Sequence, residues 1–166
     1  MPVAAGWGWR MIVLRIVRGV TTHFVGRWPE WVLSGILFAI GMRLLGPGET
    51  FASAIGYRVM AAFATEEHWG YFLCTIAGAR LIALTVNGTF KPFARISPVI
   101  RCLLGVLSGF AWFTLAMGLY LANPVGIPAP ICAGMLVADM INAILAGGDA
   151  GVTERKYRNE RAAKRA

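Results

Sequence analysis

Arg80 and Asp139 are the two residues whose placement makes intramembrane chemistry conceivable. Arg80 stands in the apolar stretch Trp69–Val86, and Asp139 is the only carboxylate inside the stretch Ile127–Ala146. A charge inside a membrane span costs at least ~2.5 kcal/mol, so such a residue normally has a partner or faces water. Arg80 lies seven residues before Asn87, and Asp139 seven before Ala146. At ~1.5 Å per residue both are about 10 Å from the same ends of their helices. The two are therefore level, and a direct pair is expected if their helices touch.

Helical spacing adds Asn87 beneath Arg80 and Asn142 beneath Asp139. The predicted unit is a polar seam, Arg80–Asn87 against Asp139–Asn142. It would serve as a proton or ion path, as the wet lining of a pore, or as a clamp that sets helix register. The clamp is the favoured reading, because one matched ion pair with amide neighbours is what buried charge demands.

Signatures of catalysis are missing. There is no HExxH, no glycine-rich phosphate loop and no nucleophile paired with a base, and Ser34 and Ser108 sit in apolar stretches without a nearby histidine. Cys74, Cys102 and Cys132 match no zinc spacing, and neither His23 nor His68 is placed to help. The expectation is a non-enzymatic protein with no metal and no cofactor. A disulfide between Cys74 and Cys132 is weighed against buried thiols, and buried thiols are preferred.

The elements that must carry the seam are four apolar stretches, roughly Trp31–Gly46, Trp69–Val86, Cys102–Ala122 and Ile127–Ala146. The chain has 166 residues, 57% hydrophobic and only 14% charged, too few charges to coat a soluble domain of this size. The net charge of +8 has a positional explanation. Arg10, Arg15, Arg18 and Arg27 precede the first stretch, and Lys91, Arg95 and Arg101 separate the second from the third. Arg155, Lys156, Arg158, Arg161, Lys164 and Arg165 follow the fourth. Thirteen of the sixteen basic residues thus fall on one side, against Arg43 and Arg58 on the other. That asymmetry predicts an all-α, four-span membrane bundle with both termini cytoplasmic, facing anionic headgroups, and it removes the need for a nucleic-acid partner. The expected location is a membrane, crossed four times.

Three regions are expected: a basic amphipathic segment 1–27, the bundle 28–148, and a basic tail 149–166. Segment 1–27 is not read as a cleaved signal peptide, because Arg15 and Arg18 interrupt its apolar run. It would lie in the inner interface or pack against the bundle. Pro29 and Glu30 suit the first turn of the first span, Glu30 through the helix dipole. Arg43 near the end of that span would snorkel toward Glu49, Glu66 or Glu67. After the Gly46-Pro47-Gly48 break, Phe51, Ile55, Val59, Ala62 and Phe63 form a stripe that predicts a helix lying on the outer face. Thr65 would cap the second span, and Trp69 and Tyr71 would mark the outer interface. Small residues four apart, Gly35 and Ala39, Gly105 and Gly109, Gly134 and Ala138, let helices approach closely. They would act within one bundle or between copies, with Gly105 and Gly109 the expected contact in a homo-oligomer.

The run Leu44-Leu45-Gly46-Pro47-Gly48-Glu49-Thr50-Phe51, then Tyr57, His68-Trp69-Gly70, Gly78-Ala79-Arg80-Leu81 and Asn87-Gly88, resembles small multi-span membrane proteins of tailed bacteriophages and prophages. The likeness is best over about residues 31–122, with an echo at Ala138-Asp139 and Asp149-Ala150. It transfers no functional residue. What it implies is a phage-type inner-membrane protein, holin-like in permeabilising or remodelling the host membrane by self-association, although common holins have fewer spans. The alternatives are an anchoring or interaction protein, such as a superinfection-exclusion factor, and then a small transporter or channel.

Overall fold

The computed structural model describes residues 26–89 and 96–165, with the side chains of 87–89 not among those described. The amphipathic segment 1–27 therefore lies outside the described residues up to residue 25, as do Lys91, Arg95 and the Asn87 side chain.

Every regular element among the described residues is helical. Four helices are long and apolar enough to cross a membrane: α1 (Gly26–Leu45), α4 (Glu66–Thr89), α5 (Ser97–Ala122) and α6 (Pro128–Ala163). Between α1 and α4 lie two short helices, α2 (Thr50–Ser53) and α3 (Arg58–Phe63), joined by a 3-10 turn at Ile55–Tyr57. Prolines open α5 and α6, where the missing N–H has no helical acceptor to lose. Glu66 and Glu67 fill the first turn of α4, and Thr65 Oγ1 accepts from the His68 N–H at 3.4 Å, the expected cap.

The segment between α1 and α4 is not the single surface helix that its stripe predicts. Ala54 is extended, which breaks the helix, and the buried positions are Gly56 and Met60, whereas Ile55 and Phe63 are exposed. The reason is close packing. A Cβ on Gly56 would lie 2.9 Å from the Leu119 side chain, so the backbone here rests directly on α5. The Glu66 carboxylate accepts the Thr50 and Phe51 N–H groups, each at 2.9 Å, and so ties α2 to α4. Arg43 donates to the Pro47 carbonyl at 3.3 Å.

Three close approaches set the registers. A Cβ on Gly41 of α1 would lie 2.7 Å from Cys74 Sγ of α4, and one on Gly70 the same distance from Leu45. A Cβ on Gly105 of α5 would lie 2.9 Å from the Ala143 Cβ of α6. Antiparallel α4 and α5 meet where Ser97 Oγ donates to the Ala83 carbonyl at 3.2 Å and where the Trp69 ring stacks on Phe110 at 5.9 Å. Trp69 is a correction to the interface expectation. It is only 3% exposed and its indole N–H donates to the Met60 carbonyl at 2.8 Å, so it belongs to the core with Leu37, Leu73, Ala77 and Trp112. Tyr71 remains exposed. Helix α6 continues unbroken through Gly147-Gly148 into the charged region, so bundle and tail share one helix.

Candidate functional site

The structure brings Arg80 and Asp139 together. Arg80 Nη1 is 2.6 Å from Asp139 Oδ1, and the residues are 1% and 0% exposed. This is a charge contact without an aligned hydrogen bond to Oδ1; Nη1 donates instead to Ser108 Oγ at 2.8 Å. The Ser108 hydroxyl in turn donates to Asp139 Oδ2. Its alternative acceptor, the Gly105 carbonyl one turn back, is 3.0 Å away. The unit thus joins three helices: α4 supplies the cation, α5 the relay hydroxyl, α6 the carboxylate.

The reason Ser108 can bridge lies in the glycines beside it. Gly105 and Gly109 flank Ser108 on the side where α6 approaches, against Ala143 and Met140. Larger residues there would hold α6 away and open the Ser108–Asp139 contact. This face is therefore filled by α6 of the same chain, which corrects the expectation that Gly105 and Gly109 join copies. By contrast, a Cβ on Gly35 or Gly134 would meet nothing within 4 Å; Gly35, Ala39 and Gly134 are exposed and Ala138 half-buried.

Asn142 is buried one turn from Asp139, and its Nδ2 has no hydrogen-bond partner among the described residues. The same holds for Arg80 Nε and Trp112 Nε1. Asn87 belongs to α4, and its place beneath Arg80 is not among the described side chains.

A second charged cluster, near the opposite ends of the helices from Trp69, was not foreseen. Arg101, counted in sequence as a basic loop residue, is 2% exposed in the second turn of α5. Its guanidinium grips the Glu30 carboxylate of α1 through two bonds, Nε to Oε2 at 2.9 Å and Nη2 to Oε1. Its Nη1 is 3.7 Å from Asp149 Oδ2 of α6, and Arg27 Nη2 is 3.1 Å from the same oxygen. Two cations and two carboxylates therefore link α1, α5 and α6. The signal available in sequence was charge balance: Glu30 and Asp149 were the acids left without a partner near that end. Ser108 gave no such signal, since a serine in an apolar helix commonly bonds its own backbone.

Chemically, both clusters are neutral sums of matched charges. Each binds helices to one another; the Arg80–Asp139 unit is buried, whereas Asp149 of the second cluster is half exposed. No group of histidines, cysteines and acids with metal-binding geometry occurs among the described residues, and the three cysteines are free thiols. The chain matches no protein-family model, no curated protein and no solved structure.

Proposed function

We propose that this chain is a phage-type integral inner-membrane protein, non-enzymatic and holin-like, which acts on the membrane through association of its copies. The observation that carries the reading is the closure of the polar interior. Arg80 and Asp139 are paired and almost fully enclosed, with Ser108 between them. A buried pair of opposite charges suits a clamp, whereas an ion path needs polar groups that face water. On this reading an effect on permeability comes from several bundles acting together. The phage and holin parts of the reading rest on the sequence resemblance.

Inducible expression in bacteria tests it. Abrupt entry of a membrane-impermeant dye with growth arrest is the expected result; prolonged harmless accumulation in the membrane is the result that removes it.

A second reading, an anchoring or interaction protein, draws on α6. This helix has 36 residues, about 54 Å at ~1.5 Å per residue, against ~30 Å of hydrocarbon. Its last turns, with Arg155, Lys156, Arg158 and Arg161 exposed, make a rigid basic arm. Removal of residues 153–166 would then abolish activity while the bundle still inserts; retained activity would eliminate this reading.

A further inference from the structure

Helix α6 runs unbroken for 36 residues, yet its sequence is weakest where it leaves the bundle. Of the five residues 147–151, three are glycine and one is aspartate. Glycine is the poorest helix former after proline, and aspartate also ranks low. Gly147 rests on α5, where an added Cβ would lie 3.5 Å from Cys102 Sγ. Gly148 and Gly151 face open space, since a Cβ on either would meet nothing within 4 Å. Neither needs to be glycine for packing. Thr153 weakens the same stretch: its hydroxyl donates to the Asp149 carbonyl at 2.8 Å, a bond back by one turn that favours bending. Adjacent small residues of this kind are a usual site of helix kinks.

At the middle of this run stands a charge contact. Asp149 Oδ2 is 3.1 Å from Arg27 Nη2 of α1 and 3.7 Å from Arg101 Nη1 of α5. Arg101 is itself held by its fork on Glu30. The fastening therefore grips α6 where its backbone is least stiff. It is also open to water: the Asp149 side chain is 50% exposed and that of Arg27 26%, so solvent and salt screen the pair. The Arg101–Glu30 pair beside it is buried and keeps its strength.

We propose that residues 147–151 are a hinge and Asp149 its latch. Paired with Arg27 and Arg101, Asp149 keeps the basic arm in line with the rest of α6; released, it lets the arm swing as one body. From Arg155 to Arg165 every residue is exposed, and the run holds six cations against the single acid Glu160. In line, the arm carries Arg161 about 18 Å past Asp149, twelve residues at ~1.5 Å, and so beyond a Debye length of ~8 Å. The latch thus decides where six positive charges stand relative to the bundle. This goes beyond both readings of function above, which concern what the chain meets and not how the arm is held.

The test measures the distance between nitroxide labels at Ile144→Cys and Asn159→Cys, both exposed positions of α6. The full chain is held in liposomes, with Cys74, Cys102 and Cys132 replaced by alanine. At low salt the parent should give one narrow distance, near the ~22 Å of a continuous helix. Asp149→Asn should at least double the width and add shorter distances, and about 1 M salt should act on the parent in the same direction. Gly148→Ala with Gly151→Ala, added to Asp149→Asn, should restore the narrow distance, because alanine favours the helix and has room at both positions. A parent already broad at low salt, or a distance that either treatment leaves narrow, would overturn the latch. A width that the two alanines do not reduce would overturn the hinge. Amide hydrogen exchange, with the native cysteines in place, separates bending from unwinding. Faster exchange in Asp149→Asn confined to residues 148–155 is the expected result; exchange spreading inward from Ala163 would mean that the arm melts, and the proposal would be wrong.

Discussion

Arg101 Nε lies 2.9 Å from Glu30 Oε2, a contact between α5 and α1 across 71 positions of chain. Both side chains are buried, and a second guanidinium nitrogen meets the other carboxylate oxygen. A planar fork on a carboxylate fixes distance and rotation together, which a point charge cannot do. With Arg80–Asp139 it gives the bundle two charged fastenings: one between α4, α5 and α6, the other between α1, α5 and α6. Helix α5 is common to both.

Breaking one partner of the inner pair strands the other. Arg80→Ala or Asp139→Asn should each destabilise the bundle by about 3–5 kcal/mol, the usual cost of an uncompensated buried charge. The double exchange Arg80→Asp with Asp139→Arg should recover part of that loss. Abundance in the membrane and thermal unfolding in detergent are the measurements. Normal abundance with lost ion flux would instead identify the pair as a conduction element.

Ser108→Ala removes the relay but leaves both charges. The expected loss is about 1–3 kcal/mol, that of a buried polar contact left unmade, and thus smaller than for Arg80→Ala. Equal losses would mean that Ser108 holds the helices by more than its hydroxyl.

Within the cluster around Arg101, burial sets the ranking. Glu30→Gln should cost several-fold more stability than Asp149→Asn, because Asp149 is half exposed and its pairing with Arg27 is screened by solvent. Unfolding midpoints at low and high salt check this, with salt sensitivity confined to the Asp149 contribution.

The glycines divide into two sets. Gly105→Val and Gly109→Val should destabilise by about 1–3 kcal/mol, as overpacking does, since α6 already touches both positions. Gly35→Ala and Gly134→Ala, with open space around the added carbon, should be neutral or slightly stabilising in the isolated chain. Loss of association in either alanine variant would assign that stripe to contacts between copies.

One carboxylate ties the start of α2 to α4. Glu66→Ala frees the Thr50 and Phe51 N–H groups, at a cost of about 1 kcal/mol. Faster proteolysis within residues 47–63, with the bundle otherwise intact, is the expected observation.

The four apolar helices, the break at Gly46-Pro47-Gly48, and the level of Arg80 with Asp139 were all legible in the residues. Period, proline and glycine placement and the 1.5 Å rise are local properties, and each is complete within one segment of chain. What only the tertiary structure decided was which faces meet. Trp69 reads as an interfacial residue from its place at a helix start, yet its indole finds the Met60 carbonyl and the Phe110 ring. Arg101 reads as a loop cation until α1 brings Glu30 beside it. Gly105 and Gly109 advertise a close approach without naming the partner, which proved to be α6. Helix rotation and pairing follow from the sum of contacts among several helices, and no single segment contains that sum.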